Sequence, residues 1–186
     1  MSPRILCLIL LVLEARGFAL IVKAGLREPK YLFIFYTQLS NMMAALSALL
    51  LAIFGQPAWV TGLRYLATCM LVMTAVVTAC VLVPLGGDVK KLLLTGHGLY
   101  VHLLCPLLCA VSYICFEEHA GRGLLWLPVT VTFAYGMTML YLNWRGKVDG
   151  PYPFFRVRRQ SAAKTVLWMA VLLAAVTMIA LLVGMA

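Results

Sequence analysis

Long apolar runs alternate with short polar connections along the whole chain. The runs lie near residues 4–26, 31–54, 63–85, 92–116, 122–143 and 163–185, each close to the roughly 20 residues that an α-helix needs to cross about 30 Å of hydrocarbon. The pattern predicts an all-α integral membrane protein, a bundle of six transmembrane helices forming one domain over residues 1–186, with no linker, low-complexity tract or internal repeat. Within the second run the polar positions are ordered. At about 100° per residue, Thr37, Ser40, Asn41, Ala44, Ser47 and Ala48 share one side of a helix. Such a face turns inward, because hydrocarbon offers its hydroxyls and amides no partner.

Composition supports this class. Of 186 residues, 64% are hydrophobic and 11% charged, far from the soluble balance of about half apolar and a quarter charged. The net charge of +9 would suit nucleic acid, yet the basic residues gather at helix ends and in connections, where membrane topology accounts for them. Lys23, Arg27, Lys30, Lys90, Lys91, Arg145, Lys147, Arg156, Arg158, Arg159 and Lys164 fall on one side of the six-helix topology, and only Arg4, Arg64 and Arg122 on the other. The bias predicts non-cytoplasmic termini, a multi-pass protein of a cell inner membrane, and no nucleic-acid partner. All six cysteines fall within the runs and none forms a CxxC pair, so they read as small apolar packing residues. His97 and His102 are separated by about 140° around a helix and His119 sits in a loop, so neither a metal site nor a cofactor is expected.

Glu14 and Arg16 interrupt the first run and, two residues apart, point to opposite faces. Glu14 is either a functional group facing the bundle interior or a structural ion-pair partner or neutral carboxyl. Residues 1–13 resemble a signal peptide in their basic start and apolar core, but charges stand where a cleavage site would need small residues. Tyr31, Phe33, Phe35 and Tyr36 open the second run as an interfacial aromatic set. Thr68, Thr74 and Thr78 in the third are expected to bond carbonyls of the preceding turn, without function. In the fourth, Thr95, Gly98, His102, Cys105, Pro106 and Cys109 lie within about 100° of one another, and Pro106 leaves the carbonyl of His102 without its usual helical donor. Thr37 and His102 enter from the same side of the membrane and are expected to meet. The fifth and sixth runs read as packing and interface anchoring. Between them, Asp149-Gly150-Pro151 starts a turn, Pro153 holds Tyr152 extended, and Arg156, Arg158 and Arg159 follow, which reads as an interfacial loop on anionic headgroups or a floor beneath the polar cavity.

Tyr36-Thr37-x-x-Ser40-Asn41, His102 with Pro106, and Tyr152-Pro153-Phe154 together resemble the androgen-induced protein family and its bacterial six-helix relatives, over roughly residues 31 to 158. Animal members are intramembrane threonine hydrolases that split fatty acid esters of hydroxy fatty acids. The resemblance implies Thr37 as nucleophile, His102 as base and a fatty-acyl ester among membrane lipids as substrate. Four residues separate His102 from Pro106 where the animal pattern has five, and the Ser40-Asn41 pair is closer to the bacterial branch.

That chemistry suits the residue types. A threonine hydroxyl becomes a nucleophile when a base removes its proton, and neutral histidine is the side chain best poised to do so near neutral pH. Asn41, one turn beyond Thr37, is a candidate oxyanion donor, Ser40 a rival nucleophile, and Glu14 a candidate to orient the imidazole. Tyr152, Arg156 and Arg158 are candidates to meet substrate at the interface. The same polar centre also suits a small carrier, or a lipid-binding scaffold whose seam only specifies helix packing.

Overall fold

The computed structural model describes residues 2–24 and 33–185. Arg27, Lys30 and Tyr31, which enter the charge count and the aromatic set above, lie outside the described residues, as does the side chain of Arg122. The long helices are α1 (Pro3–Lys23), α2 (Tyr36–Phe54), α3 (Ala58–Leu82, its last turn π-helical), α4 (Gly96–Phe116), α5 (Trp126–Trp144) and α6 (Ala162–Met185). No strand occurs among the described residues. Among the described residues, five helices are long and apolar enough to cross a membrane. The sixth expected span, α5, reaches 19 residues, but its Thr, Tyr, Trp and Asn content leaves it less apolar than the rest. The outward faces carry large apolar side chains such as Val12, Leu46, Val166 and Leu182, a surface suited to lipid, and the chain is a multi-pass integral membrane protein.

Two expected boundaries shift for identifiable reasons. Pro57, extended at the end of a three-residue connection, starts α3 at Ala58 rather than near residue 63. Arg64 is therefore nearly two turns inside the helix instead of at its outer end. A glycine with φ of +59° at Gly96 and an extended Thr95 separate α4 from a π-helical turn at Lys90–Leu94. Thr95, expected on the same face as His102, is consequently exposed and outside the helix.

Helix α3 is the axis of the molecule, packing against α2, α4, α5 and α6. One of its faces contributes Val60, Ala67 and Leu71 to a core shared with Cys7 and Leu10 of α1, Ala44, Ala48 and Leu51 of α2, and Cys105 and Cys109 of α4. The opposite face contributes Tyr65, Leu66, Met70 and Met73 to a second core with α5, α6 and the aromatics of the 145–161 connection. Four cysteines are buried as the packing reading expects, whereas Cys80 and Cys115 are exposed; all six are free.

Away from the site, α3 is pinned by a buried ion pair that the sequence pattern did not reveal. Arg64, 0% exposed, donates from Nε and Nη2 to the two carboxylate oxygens of Glu117 at 2.8 and 2.7 Å. Ser112 Oγ donates to Glu117 at 2.6 Å, and Arg64 Nη1 reaches Ser47 Oγ at 3.4 Å. The fork geometry satisfies both ions at once, and the pair links α2, α3 and the end of α4. Removing one partner leaves an uncompensated charge in a low-dielectric interior. Arg64→Ala or Glu117→Gln is expected to cost about 3–5 kcal/mol, and the double change Arg64→Met/Glu117→Met much less, measured by denaturant unfolding in detergent micelles. Equal losses in single and double variants would refute a charge-compensation role.

Candidate active site

The site forms where α2 begins. The first amides of a helix lack intrahelical acceptors, and Phe35 at the cap position supplies no side-chain oxygen. Two tyrosines from elsewhere do so instead. Tyr36 N donates to Tyr135 Oη of α5 at 3.0 Å, and Tyr135 Oη donates to the Ile34 carbonyl at 2.6 Å. Thr37 N donates to Tyr152 Oη at 3.3 Å. Tyr36 Oη is itself bonded to Thr132 Oγ1 of α5 at 2.8 Å. Tyr152 is extended (φ −127°, ψ 150°) ahead of Pro153, as expected. Its ring is stacked on Phe154 at 5.1 Å and meets Phe35 edge-on at 6.0 Å. Burial pushes the Tyr152 phenol above its ordinary pKa, so it remains a protonated donor at neutral pH.

The opposite wall comes from α4. Pro106 has no N–H for the carbonyl of His102, and the helix widens into a π-helical turn at Tyr100–Leu104 with His102 at its centre. Gly98 lets the preceding π-turn lie directly on α4: a Cβ there would come within 2.7 Å of the Leu92 carbonyl oxygen and closer still to that of Lys91. That approach brings the Leu92 carbonyl to 2.8 Å from His102 Nδ1.

A directional chain of hydrogen bonds results. A carbonyl can only accept, so His102 Nδ1 carries the proton and a neutral imidazole presents a lone pair at Nε2. Thr37 Oγ1 lies 3.4 Å from that Nε2 and 3.3 Å from Tyr152 Oη. The self-consistent order is Tyr152 O–H to Thr37 Oγ1, Thr37 O–H to His102 Nε2, and His102 Nδ1–H to Leu92 O. The expected meeting of Thr37 and His102 is found, with both side chains buried.

Other expected site residues are placed differently. Asn41 cannot serve as an oxyanion donor in this arrangement, because its amide nitrogen is already engaged by the Thr37 carbonyl at 2.7 Å and the Val101 carbonyl at 3.3 Å. It ties α2 to the widened turn of α4 instead. Ser40 Oγ is turned away from His102, 2.9 Å from both the Thr37 carbonyl and Thr74 Oγ1. Glu14 does not orient the imidazole, since the Leu92 carbonyl holds that nitrogen. The Glu14 carboxylate is 1% exposed and has no hydrogen-bond partner among the described residues, with the Cys105 thiol as its polar neighbour. Arg16 is exposed on the opposite face of α1, as their spacing requires. Arg156 is half-buried and Arg158 exposed, and neither lines the cavity described next.

Beside Thr37 lies a narrow cleft between α2, α3, α5 and α6 with a cavity volume of about 40 Å³, room for little more than water and below the usual range of small-molecule sites, so a larger occupant must part the helices. Thr37, Tyr36, Thr74, Thr78, Thr132, Tyr135 and Tyr152 gather hydroxyls along it, while Met73, Val77, Leu82, Phe154, Phe155, Met169, Leu172 and Leu173 are apolar. Thr74 does bond the Met70 carbonyl of its preceding turn at 3.1 Å, but Thr74 and Thr78 also line the cleft, a position their spacing on α3 did not announce. Pro128, Thr132, Gly136, Met139 and Asn143 recur every three or four residues along α5, a signal from which its inward face could have been read.

No family model matches the chain, and neither a curated protein nor a solved structure matches it.

Because Gly98 sets the Leu92 carbonyl against His102, Gly98→Ala is expected to cost about 1–3 kcal/mol in detergent unfolding. It should also remove the Nδ1–H tautomer of His102 in imidazole ¹⁵N NMR. A wild-type-like imidazole spectrum in that variant would sever the link between Gly98 and the histidine.

Proposed function

We propose that the chain is an intramembrane lipid-ester hydrolase with Thr37 as nucleophile and His102 as base, acting on fatty-acyl esters such as those of hydroxy fatty acids. The observation that carries this reading is the one-way hydrogen-bond chain that delivers the Thr37 hydroxyl to an unprotonated imidazole nitrogen at the head of a largely apolar cleft. The resemblance to the androgen-induced protein family points the same way. We further propose six membrane crossings, with α5 as the least apolar, both termini on the non-cytoplasmic side and an inner-membrane location. On that topology the site opens toward the basic, cytoplasmic face.

In the first half-reaction His102 Nε2 accepts the Thr37 proton as Oγ1 attacks the acyl carbonyl. The tetrahedral oxyanion collapses to an acyl-threonine, and the leaving alkoxide takes the proton from His102. Water then gives its proton to His102 and attacks the acyl-threonine; collapse releases the fatty acid, and the proton returns to Thr37. Among the described residues, Tyr152 is the remaining side-chain donor bonded to Thr37 Oγ1, and it replaces Asn41 as the group that meets the oxyanion. The Leu92 carbonyl takes the orienting role first sought in Glu14, and stabilises the imidazolium through a fixed dipole instead of a charge. Against a carrier stands the far end of the bundle: beyond Asn41 the seam passes Ala44 and ends at Ser47, bonded to the closed Arg64–Glu117 pair.

Labelling of the purified protein by a fluorophosphonate probe, alongside fatty-acid release from a lipid ester, tests the reading. Thr37→Ala and His102→Ala should abolish both, Ser40→Ala should leave both intact, and unaltered turnover in Thr37→Ala would overturn the nucleophile assignment. Tyr152→Phe should lower kcat about 10²-fold with little change in KM, the signature of a donor to a developing oxyanion. A rise in KM alone would assign Tyr152 to substrate binding.

A further inference from the structure

The cavity is separated from the lipid-facing surface by very little at the seam between α5 and α6. Gly136 of α5 and Met169 of α6 both line it. A Cβ on Gly136 would lie 2.7 Å from Met169 Cε and 3.3 Å from its sulfur, so the thioether tip fills the space that any larger residue at 136 would claim. Residues beside the pair face outward: Phe133 and Met137 on α5, Val166 and Leu167 on α6. The wall at this level is one glycine and the end of an unbranched, three-rotor side chain.

The two helices differ from their neighbours in how they are joined. Helix α5 is tied to α2 and to Ile34, two residues ahead of it, through the Tyr36–Thr132 and Tyr135–Ile34 hydrogen bonds, and α6 to α3 through Tyr65 Oη to the Ala180 carbonyl at 2.8 Å. Between α5 and α6 no hydrogen bond occurs among the described residues, and their contact there is apolar. Inside a bilayer such a contact has no hydrophobic driving force, because lipid tails satisfy the same surfaces. Parting α5 from α6 at this level breaks no hydrogen bond between described residues.

We propose that the α5–α6 seam at Gly136 and Met169 is a lateral portal, through which a single unbranched acyl chain passes from the bilayer into the cavity. The occupant follows from position and shape. Met169 lies seven residues inside α6, a depth of about 10 Å, among acyl chains and below the headgroups. The lining residues of α3 run from Leu82 to Met73, about 13 Å along the helix and mostly apolar, with Thr37 on the flank; the cavity of about 40 Å³ between them widens as the chain enters. The proposal rests on the hydrolase reading only for the ester that such a chain would carry.

The test uses full-length protein in phospholipid vesicles and an oleate bearing a mid-chain diazirine and a terminal alkyne. Photolabel should fall on peptides of α5 and α6 that contain Gly136, Met169 or Leu172. Met169→Trp and Gly136→Val should each slow labelling at least about fivefold, and Met169→Ala should speed it. The proposal is overturned if the rate ignores all three seam variants, or if label falls only on peptides away from the cavity. Met169→Ala opens space instead of filling it, so its missing acceleration counts against the portal even where the filled variants misfold. Labelling needs no turnover. Absent hydrolysis with portal-dependent labelling therefore overturns the hydrolase reading alone, and intact hydrolysis with insensitive labelling overturns the portal alone.

Discussion

Helix α2 starts inside protein without a cap of its own, and the tyrosine hydroxyls that terminate it hold the site together. A buried amide with no acceptor costs more than a hydrogen bond returns, and in a membrane no water can make up the difference. Tyr135 and Tyr152 are therefore drawn to the same helix end from α5 and from the 145–161 connection. The requirement fixes how α5 sits against α2, holds the 145–161 connection beneath the bundle, and sets a phenol next to Thr37. The aromatic packing of Phe35, Phe154 and Phe155 around Tyr152 follows from that anchor.

A second constraint is the spread of backbone distortion at one end of the bundle. The π-helical turns at Thr78–Leu82, Lys90–Leu94 and Tyr100–Leu104 all lie there, and widened turns release carbonyls that a regular α-helix would consume. Two of these are used: Leu92 by the imidazole, Val101 by Asn41. The regular helices elsewhere leave side chains to satisfy one another, as Arg64, Glu117, Ser47 and Ser112 do.

Much of this was legible in the sequence because the bilayer simplifies the code. Apolar run length located the helices, and the inward face of α2 was readable from small and polar spacing alone: Thr37, Ser40, Asn41, Ala44, Ser47 and Ala48 are all buried. Proximity of Thr37 to His102 followed from their depth. What was not legible depends on backbone detail or long-range pairing. A proline's missing donor was visible, but not that the chain would answer with a π-turn and fold residues 90–94 back onto Gly98. Asn41 and Glu14 are placed away from the expected roles because backbone carbonyls, invisible to side-chain reasoning, occupy the Asn41 amide and the Nδ1 of His102. Arg64 looked like a topology marker until Glu117, 53 residues away, supplied its counter-ion.

The two-faced character of α3 divides the molecule's labour. Thr37 and His102 stand on helices of the core shared with α1, while most of the cavity wall belongs to the core shared with α5 and α6. Tyr152, a member of the second core, reaches across to the Thr37 hydroxyl. Substitutions along α5 and α6 can accordingly reshape what the cleft admits while the paired hydroxyl and imidazole keep their register. A lineage of such proteins is free to vary the shape of the cleft while the Thr37–His102 pair stays constant, with the residue facing Thr37 from the loop as the point where the two histories must agree.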